Sequence, residues 1–167
     1  MGTAHEAIRR RAVRDGDVSD EQAIRDLMAV TASRLDREDL AGWLELFDAD
    51  SAYEIEAFSS EIRRTMSWWK SDRPALERLL EEAPRHERDR ARRLHLLGAI
   101  EIELEADRAR AQAPFAIYRT LPDGTSSLYV VGRYENSVIK RDGRWRYTYH
   151  KAVLDTRVLD AFTHLPL

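Results

Sequence analysis

The sequence contains no cysteine among its 167 residues. Without thiolates, the chain cannot form disulfides, thiolate metal sites or an iron–sulfur cluster on its own ligands. It also lacks any apolar run approaching the roughly 20 residues that a membrane-spanning helix needs. Residues 1–17 include Arg9-Arg10-Arg11 but no apolar stretch, so we expect no secretory signal there. A cytoplasmic location is the resulting expectation.

An excess of basic residues is also missing, since the net charge is −3. A nucleic-acid-binding protein usually carries a strong basic bias, and we therefore expect no nucleic-acid partner. The length suits one domain with a core of its own. We expect a flexible N-terminal segment at residues 1–18 and a single domain at residues 19–167.

Helical patterns dominate the first part of the chain. Ser19 and Gln22 form a capping-box pattern, and apolar residues at helical spacing follow, which predicts a helix over residues 20–35. A shorter helix should present Leu40, Trp43, Leu44 and Phe47 on one face. Alternation predicts a strand at 51–57, with a second at 61–69. A third helix should begin at Asp72.

Strand patterns dominate the second part. We expect strands at residues 94–104, 109–120, 126–140 and 144–154, after a charged, mobile connection at 81–93. Asp123-Gly124 and Asp142-Gly143 are typical of two-residue hairpin turns. Helices followed by one long, mostly antiparallel sheet indicate an α+β domain, in which a strongly bent sheet folds over the helices as a cone.

Chemistry-bearing motifs are few. The sequence has no Gly-rich phosphate loop, no nucleophile elbow, no paired-histidine zinc motif and no nucleotide fingerprint. Its histidines lie at positions 5, 86, 95, 150 and 164, and none are spaced for a local metal site. A metal site built from His95, His150 and a carboxylate stays open as an alternative.

Asp36 and His95 form the main candidate pair. Asp36 ends the first predicted helix and His95 begins a predicted core strand, so both could face the interior of a cone. There a carboxylate would orient the imidazole and raise its basicity. Tyr53, Tyr147 and Tyr149 could add hydroxyl donors. The alternative is that both residues are structural polar groups.

The tryptophans divide into two groups. Trp43 and Trp145 are predicted to lie in the core. Trp68 and Trp69 are adjacent in a predicted strand and should face opposite sides, so one of them should lie outside the main core. Aromatic residues are enriched at interfaces, which favours a subunit contact at this position.

Several blocks together resemble the beta (small) subunits of aromatic-ring-hydroxylating dioxygenases. The first block contains Leu35, Asp36, Trp43, Leu44, Leu46, Phe47, Asp50 and Tyr53, and the next is Arg92-Arg93-Leu94-His95-Leu96. The later blocks are Phe115-x-Ile117-Tyr118-Arg119, Gly132-Arg133-Tyr134, Gly143-Arg144-Trp145-Arg146 and Val153-Leu154-Asp155-Thr156-Arg157. The resemblance covers residues 20–167.

This resemblance implies a cone fold of the type shared by nuclear transport factor 2 (NTF2), also called cystatin-like or SnoaL-like. It also implies a partner alpha subunit that carries a Rieske [2Fe–2S] cluster and mononuclear Fe(II), with electrons from NAD(P)H through a separate reductase. The expected assembly is a homotrimer within an alpha3beta3 hexamer, with no cofactor, metal or catalytic residue on this chain. The expected role is structural support of an oxidoreductase in aromatic catabolism. Subunit contacts are expected at Trp68, Trp69, Arg133, Arg144 and Arg146.

Two other functions stay open. The chain could be a stand-alone dehydratase or isomerase that uses Asp36, His95 and Tyr53, or a small-ligand-binding module without catalysis. Residues 60–70 depart from the common family pattern, so the branch of the family and its aromatic substrate are open. A salicylate- or anthranilate-type hydroxylase is the expectation.

Overall fold

The computed structural model describes residues 19–82, 89–159 and 165–167. The predicted flexible segment at 1–18 and residues 83–88 of the predicted mobile connection lie outside this part of the chain. The helices are α1 (Asp20–Asp36), α2 (Leu40–Leu44) and α3 (Arg73–Glu82). The strands are β1 (Phe47–Ser59), β2 (Arg64–Asp72), β3 (Arg92–Leu97), β4 (Glu101–Glu105), β5 (Arg108–Thr120), β6 (Ser126–Arg141) and β7 (Arg144–Leu154).

The first helix begins at the predicted cap. The Ser19 side chain accepts a hydrogen bond from the backbone N–H of Gln22, which satisfies one of the donors that a helix start leaves unpaired. The Gln22 side chain does not complete the capping box, because it donates to Asp26 instead. The apolar stripe of α1 faces the core with Ile24, Leu27, Met28, Thr31, Ala32 and Leu35.

The predicted second helix is shorter than expected. It ends at Leu44, and Phe47 begins β1 rather than extending the helical face. Phe47 is nevertheless buried, since the start of β1 packs on the same core. The third helix begins as predicted, with the Asp72 side chain accepting from the backbone N–H of Ala75.

One predicted strand is divided in two. The stretch 94–104 forms the end of β3 and most of β4, with a break at residues 98–100, and both strands pair with β5. In this break the Gly98 N–H donates to the Pro114 carbonyl at 2.8 Å. The turn at Asp142-Gly143 has two residues and positive φ values of 50° and 75°, as predicted. The turn at Asp123-Gly124 is longer than predicted, because residues 121–125 connect β5 to β6.

All seven strands form one sheet in the order β2-β1-β7-β6-β5-β3, with β4 beside β5. Only β1 and β7 pair in parallel; the other described pairs are antiparallel. Register shifts interrupt several pairs, and such bulges bend and twist a sheet. The sheet curves around α1, and its inner face supplies most of the core. The predicted α+β fold, with helices followed by one curved, mostly antiparallel sheet, is confirmed.

No helix in the described residues is long and apolar enough to cross a membrane.

Candidate functional site

Asp36 and His95 meet in the folded chain. His95 Nδ1 lies 2.6 Å from Asp36 Oδ1, and the backbone N–H of His95 donates to the same oxygen at 2.9 Å. The imidazole is fully buried, whereas the carboxylate is 21% exposed. The pair therefore joins the end of α1 to β3, with the carboxylate toward the mouth of the cone and the ring inside.

A second buried histidine is the centre of the interior. His150 on β7 is 1% exposed, and its Nδ1 lies 2.5 Å from Asn136 Oδ1 on β6. Burial, together with the nearby His95, lowers the pKa of His150 to about 3. The ring is therefore neutral at physiological pH.

Aromatic rings surround His150 on several sides. Tyr147 lies 4.8 Å from it between ring centroids, Tyr134 5.0 Å and Tyr53 5.6 Å. Trp43 and Phe47 complete the same cluster. Burial raises the pKa values of Tyr53, Tyr134 and Tyr147 above that of free tyrosine, so all three hydroxyls stay protonated.

The predicted tyrosines have different positions. The Tyr53 hydroxyl pairs with Leu167, and the Tyr147 hydroxyl lies 2.9 Å from that of Thr31, both inside the cone. The proposal that Tyr149 adds a donor to the interior is wrong. Tyr149 precedes His150 on β7, so it faces the opposite side of the sheet, where its hydroxyl donates to Glu54.

Sequence reasoning missed Tyr134 and Asn136 as members of this cluster. Alternation along β6 places both on the inner face, which was the available signal. Their approach to His150 depends on the register of β6 and β7, which shifts between Ser137 and Val138. No local pattern in the sequence predicts that register shift.

The mouth of the cone is closed by residues 165–167. Leu167 is fully buried; its N–H donates to the Tyr53 hydroxyl at 2.8 Å, and its carbonyl accepts from that hydroxyl at 3.3 Å. Arg93 donates to the Pro166 carbonyl at 3.4 Å. Asp36, Arg93, Leu165 and Pro166 help line the small cleft that remains, which has room for about one water molecule.

The described residues contain no group of three or more histidine, cysteine, aspartate or glutamate side chains placed to hold a metal ion. The alternative of a metal site on His95, His150 and a carboxylate is therefore not formed in this part of the chain. A Rieske cluster does not fit the chain either, because such a centre needs two cysteines.

The two adjacent tryptophans face opposite sides, as predicted. Trp69 packs inward with its ring 5.3 Å from that of Tyr53, and its Nε1 donates to Ser71. Trp68 is 37% exposed. Of the predicted interface arginines, Arg133 is exposed and pairs with Glu135, Arg144 is exposed at the start of β7, and Arg146 is half-buried.

Two exposed apolar patches flank the outer face of the sheet. The edge patch consists of Leu94, Leu96, Tyr118 and Leu128, which the pairing of β3, β5 and β6 places on one face. The hairpin patch consists of Phe58, Ile62 and Trp68 at the β1–β2 hairpin. Since β2 and β3 are at opposite ends of the strand order, the two patches lie at opposite edges of the sheet.

Between these patches runs a ladder of charged side chains. Lys151 contacts Glu56 at 3.1 Å and Glu135 at 2.8 Å, and Glu135 also accepts from Arg133 at 2.9 Å. Burial works against ionisation of Glu135, but the hydrogen bonds from Lys151 and Arg133 outweigh it and lower its pKa. The ladder is therefore charged at neutral pH.

Comparison with known proteins places the chain in a family. Residues 16–151 match the SnoaL-like domain. The beta subunit of 2-aminobenzenesulfonate 2,3-dioxygenase from an Alcaligenes species is 31% identical over 89% of this chain and 99% of that protein. The beta subunit of the methanesulfonate monooxygenase hydroxylase from Methylosulfonomonas methylovora is 27% identical over 87% and 86%.

The solved structures agree on the fold. The beta subunit of a candidate aromatic-ring-hydroxylating dioxygenase from Novosphingobium aromaticivorans superposes with a TM-score of 0.73 at 23% identity, covering 81% of this chain and 89% of that one. A candidate scytalone dehydratase from the same organism has a TM-score of 0.61 at 17% identity, covering 86% and 89%. The chain belongs to the SnoaL-like, NTF2-like family, among the beta subunits of ring-hydroxylating dioxygenases.

Proposed function

We propose that this chain is the non-catalytic beta subunit of a Rieske-type aromatic-ring-hydroxylating oxygenase and supports the catalytic alpha subunit. The observation that carries the proposal is the 31% identity with a dioxygenase beta subunit over nearly the whole of both chains. The alpha subunit would carry the Rieske [2Fe–2S] cluster and the mononuclear Fe(II). Electrons from NAD(P)H would reach it through a separate reductase.

The chemistry of the chain supports this division of labour. It has no cysteine for a Rieske cluster, and its Asp36–His95 pair lies behind a mouth closed by Leu167. An active site must admit a substrate next to its reacting groups. The cleft beside Asp36 has room for little more than one water molecule.

The outer face of the sheet supports assembly into a homotrimer. The edge patch and the hairpin patch differ in composition and lie at opposite edges, so contact between them on neighbouring copies would be heterologous. A heterologous contact closes into a ring when its rotation allows. Three copies joined edge patch to hairpin patch would bury Trp68 and Leu96, and would complete the trimer of an alpha3beta3 hexamer.

Exposure supports most of the proposed subunit contacts. Trp68, Arg133 and Arg144 are exposed and remain interface residues in this proposal, as does the half-buried Arg146. Trp69 contributes indirectly, because it supports the β1–β2 hairpin from inside. A cytoplasmic location, as expected from the sequence, remains part of the proposal.

In this proposal the alpha subunit binds the substrate. Both curated relatives are named for oxygenases of sulfonates, one aromatic and one aliphatic. An aromatic sulfonate or its carboxylate analogue is therefore the substrate class to test first, which includes the anthranilate-type acid expected from the sequence.

The test is to coexpress this chain with the alpha subunit encoded in the same genome. Purified alone, the chain should be a trimer by light scattering, without oxygenase activity. Together with the alpha subunit and a reductase, it should form a hexamer that consumes NAD(P)H and hydroxylates benzenesulfonates or benzoates. A stable monomer at micromolar concentration contradicts the trimer. An alpha subunit that is fully active and correctly assembled without this chain contradicts the supporting role.

The buried Asp36–His95 pair favours a second candidate, a stand-alone dehydratase or isomerase. In that function His95 would move a proton and Asp36 would orient the ring, with Tyr53 as a donor. Turnover of a small hydroxylated or keto substrate by the chain alone, abolished by His95→Ala, would favour this function over the structural one.

A further inference from the structure

Four arginine side chains lie together on the outer face of the sheet, at the end where β5 and β7 begin. Arg108 and Arg110 alternate with buried alanines along β5, whereas Arg144 and Arg146 flank the buried Trp145 on β7. Since neighbouring residues of a strand point to opposite faces, all four arginines point outward. We call these four residues the arginine surface.

The arginine surface has no internal partners. None of its four side chains forms a hydrogen bond or an ion pair with any residue that the structure describes. Other arginines of the outer face do: Arg133 pairs with Glu135 at 2.9 Å, and Arg141 pairs with Asp48 at 2.9 Å. The guanidinium donors of the arginine surface are therefore available to another molecule.

A groove of about 290 Å³ crosses the outer face beside these arginines. Its lining includes Glu103, Glu105, Arg108, Arg110, Ser137 and Ile139. Ile139 is 7% exposed although it lies in register with Arg108 and Arg146, so the groove has an apolar floor between charged side chains. Ligand pockets begin at about 300 Å³, and the groove can therefore accept side chains of a partner.

The two glutamates of the groove lie opposite its arginines. Glu103 is in register with Arg110, and Glu105 with Arg108. Side chains placed in this way are close enough to pair, but no ion pair joins them here. On this part of the outer face the four arginines outnumber the two glutamates. A partner that brings carboxylates would therefore be attracted by the arginines and opposed by Glu103 and Glu105.

The arginine surface is distant from both apolar patches. Arg108 and Tyr118 of the edge patch lie at the two ends of β5, which are roughly 30 Å apart in an extended strand. Phe58 of the hairpin patch lies next to the β1 residue that pairs with Leu154 at the end of β7, whereas Arg144 begins β7. Copies of this chain joined through the two patches would leave the arginine surface free.

Arginine suits a surface that binds another protein. Its planar guanidinium group binds a carboxylate through two parallel hydrogen bonds, and its long side chain also covers apolar surface. Arginine is enriched at protein interfaces for these reasons. Once copies of this chain occupy the patches, the alpha subunit is the partner that the arginine surface can still contact.

We propose that the arginine surface and its groove bind a carboxylate-rich segment of the alpha subunit. This inference rests on the function proposed above and assigns the two ends of the sheet to two different partners. Arg108 and Arg110 bind carboxylates of the segment, and an apolar side chain of the segment packs on Ile139. The apolar patches, at the other end of the strands, bind copies of this chain.

The test measures the dissociation constant between the alpha subunit encoded in the same genome and the purified trimer of this chain, by calorimetry. Arg110→Glu should weaken binding at least about tenfold, since it replaces an attraction with a repulsion, and Arg108→Glu should act in the same direction. Glu103→Gln should strengthen binding about twofold to fivefold, because it removes a competing carboxylate. All three variants should remain trimers by light scattering. Higher salt should weaken binding of the unmodified chain more than that of Arg110→Glu.

Arg78→Glu is the matched control, because Arg78 is also exposed and lies on α3, which packs against β1 and β2. It should leave the dissociation constant within about twofold. Equal weakening by Arg78→Glu and Arg110→Glu would show an effect of net charge and overturn the assignment. Loss of the trimer in Arg110→Glu would make the arginine surface a contact between copies, which also overturns it.

Two further outcomes separate this inference from the proposed function. A hexamer that forms equally well with Arg110→Glu and Arg108→Glu overturns the docking site but leaves the supporting role of the chain intact. An unmodified chain that does not associate with the alpha subunit at all contradicts the supporting role itself, and the docking site with it.

Discussion

Asp36 Oδ1 accepts two hydrogen bonds from His95, one from the ring Nδ1 at 2.6 Å and one from the backbone N–H at 2.9 Å. One carboxylate oxygen thus fixes both the main chain and the side chain of the residue that it contacts. Since Asp36 ends α1 and His95 lies in β3, this contact joins the long helix to a short strand at one edge of the sheet.

Loss of this contact should affect stability more than activity. We expect Asp36→Ala to lower the free energy of unfolding by about 1–3 kcal/mol, because the buried His95 donors lose their acceptor. Asp36→Asn should cost less, since the carboxamide oxygen still accepts. Urea unfolding measures the stability, and turnover per assembled hexamer measures the activity, which we expect to be unchanged.

Asp26→Asn is the control for this prediction, because it makes the same change on the exposed side of α1. It should leave stability within about 0.5 kcal/mol of the original. A drop of about a hundredfold or more in turnover per hexamer for Asp36→Asn would instead indicate a proton-transfer role.

Replacing Trp69 should lower the stability of the monomer, whereas replacing Trp68 should weaken trimer formation. Trp69→Ala removes an inward ring that contacts Tyr53, so it should lower the free energy of unfolding by about 2–3 kcal/mol. Trp68→Ala should leave monomer stability nearly unchanged and weaken trimer formation instead. Chemical unfolding and analytical ultracentrifugation separate the two effects. The reverse pattern would show that the hairpin patch is not a subunit contact.

His150 should make the protein less stable as the pH falls below neutral. Burial lowers the pKa of His150 to about 3 in the folded chain, whereas an unfolded histidine titrates near 6.5. Between these two values the unfolded state binds more protons than the folded state, so stability falls with falling pH by at most about 1.4 kcal/mol per unit. Thermal unfolding from pH 7 to pH 5 measures this slope.

His150→Phe is the matched variant for the pH slope, because it retains a flat ring within the aromatic cluster. It should lower stability at pH 7, since Asn136 loses its partner, but it should flatten the dependence between pH 7 and pH 5. An equally steep dependence in this variant would assign the slope to other groups. The carboxylates with lowered pKa values, such as Asp89 bound by Arg119, should contribute mainly below about pH 4.

Gly132 should not tolerate a side chain. A Cβ atom at this position would lie 2.3 Å from the backbone oxygen of Val153 on β7, and a backbone atom cannot rotate away. Gly132→Ala should therefore cost about 3 kcal/mol through overpacking. Gly124→Ala is the comparison, since nothing lies within 4 Å of its Cβ and its positive φ alone should cost about 1 kcal/mol. Similar losses in denaturant unfolding for both variants would contradict the steric explanation.

Most of the secondary structure follows from local signals in the sequence. Ser19 and Asp72 begin helices because their side chains accept from the exposed N–H groups of the first turn. Strict alternation in β5 predicts its buried and exposed faces. Asp142-Gly143 predicts its turn because both residues adopt positive φ. The pairing of Asp36 with His95 was predictable only as a hypothesis, because a residue at the end of a helix and one at the start of a core strand could both face the interior of a cone.

The tertiary structure alone decided which polar groups meet inside the cone. His150, Asn136 and Tyr134 are brought together by the register of β6 and β7, and a shift by one residue would turn each side chain to the other face. Tyr149 faces outward for the same reason. The insertion of Leu167 beside Tyr53 joins residues 114 positions apart, a contact that no local pattern encodes. Composition, caps, turns and alternation act over a few residues, and therefore the sequence by itself determined the elements. The site depends on long-range packing, which only the folded chain defines.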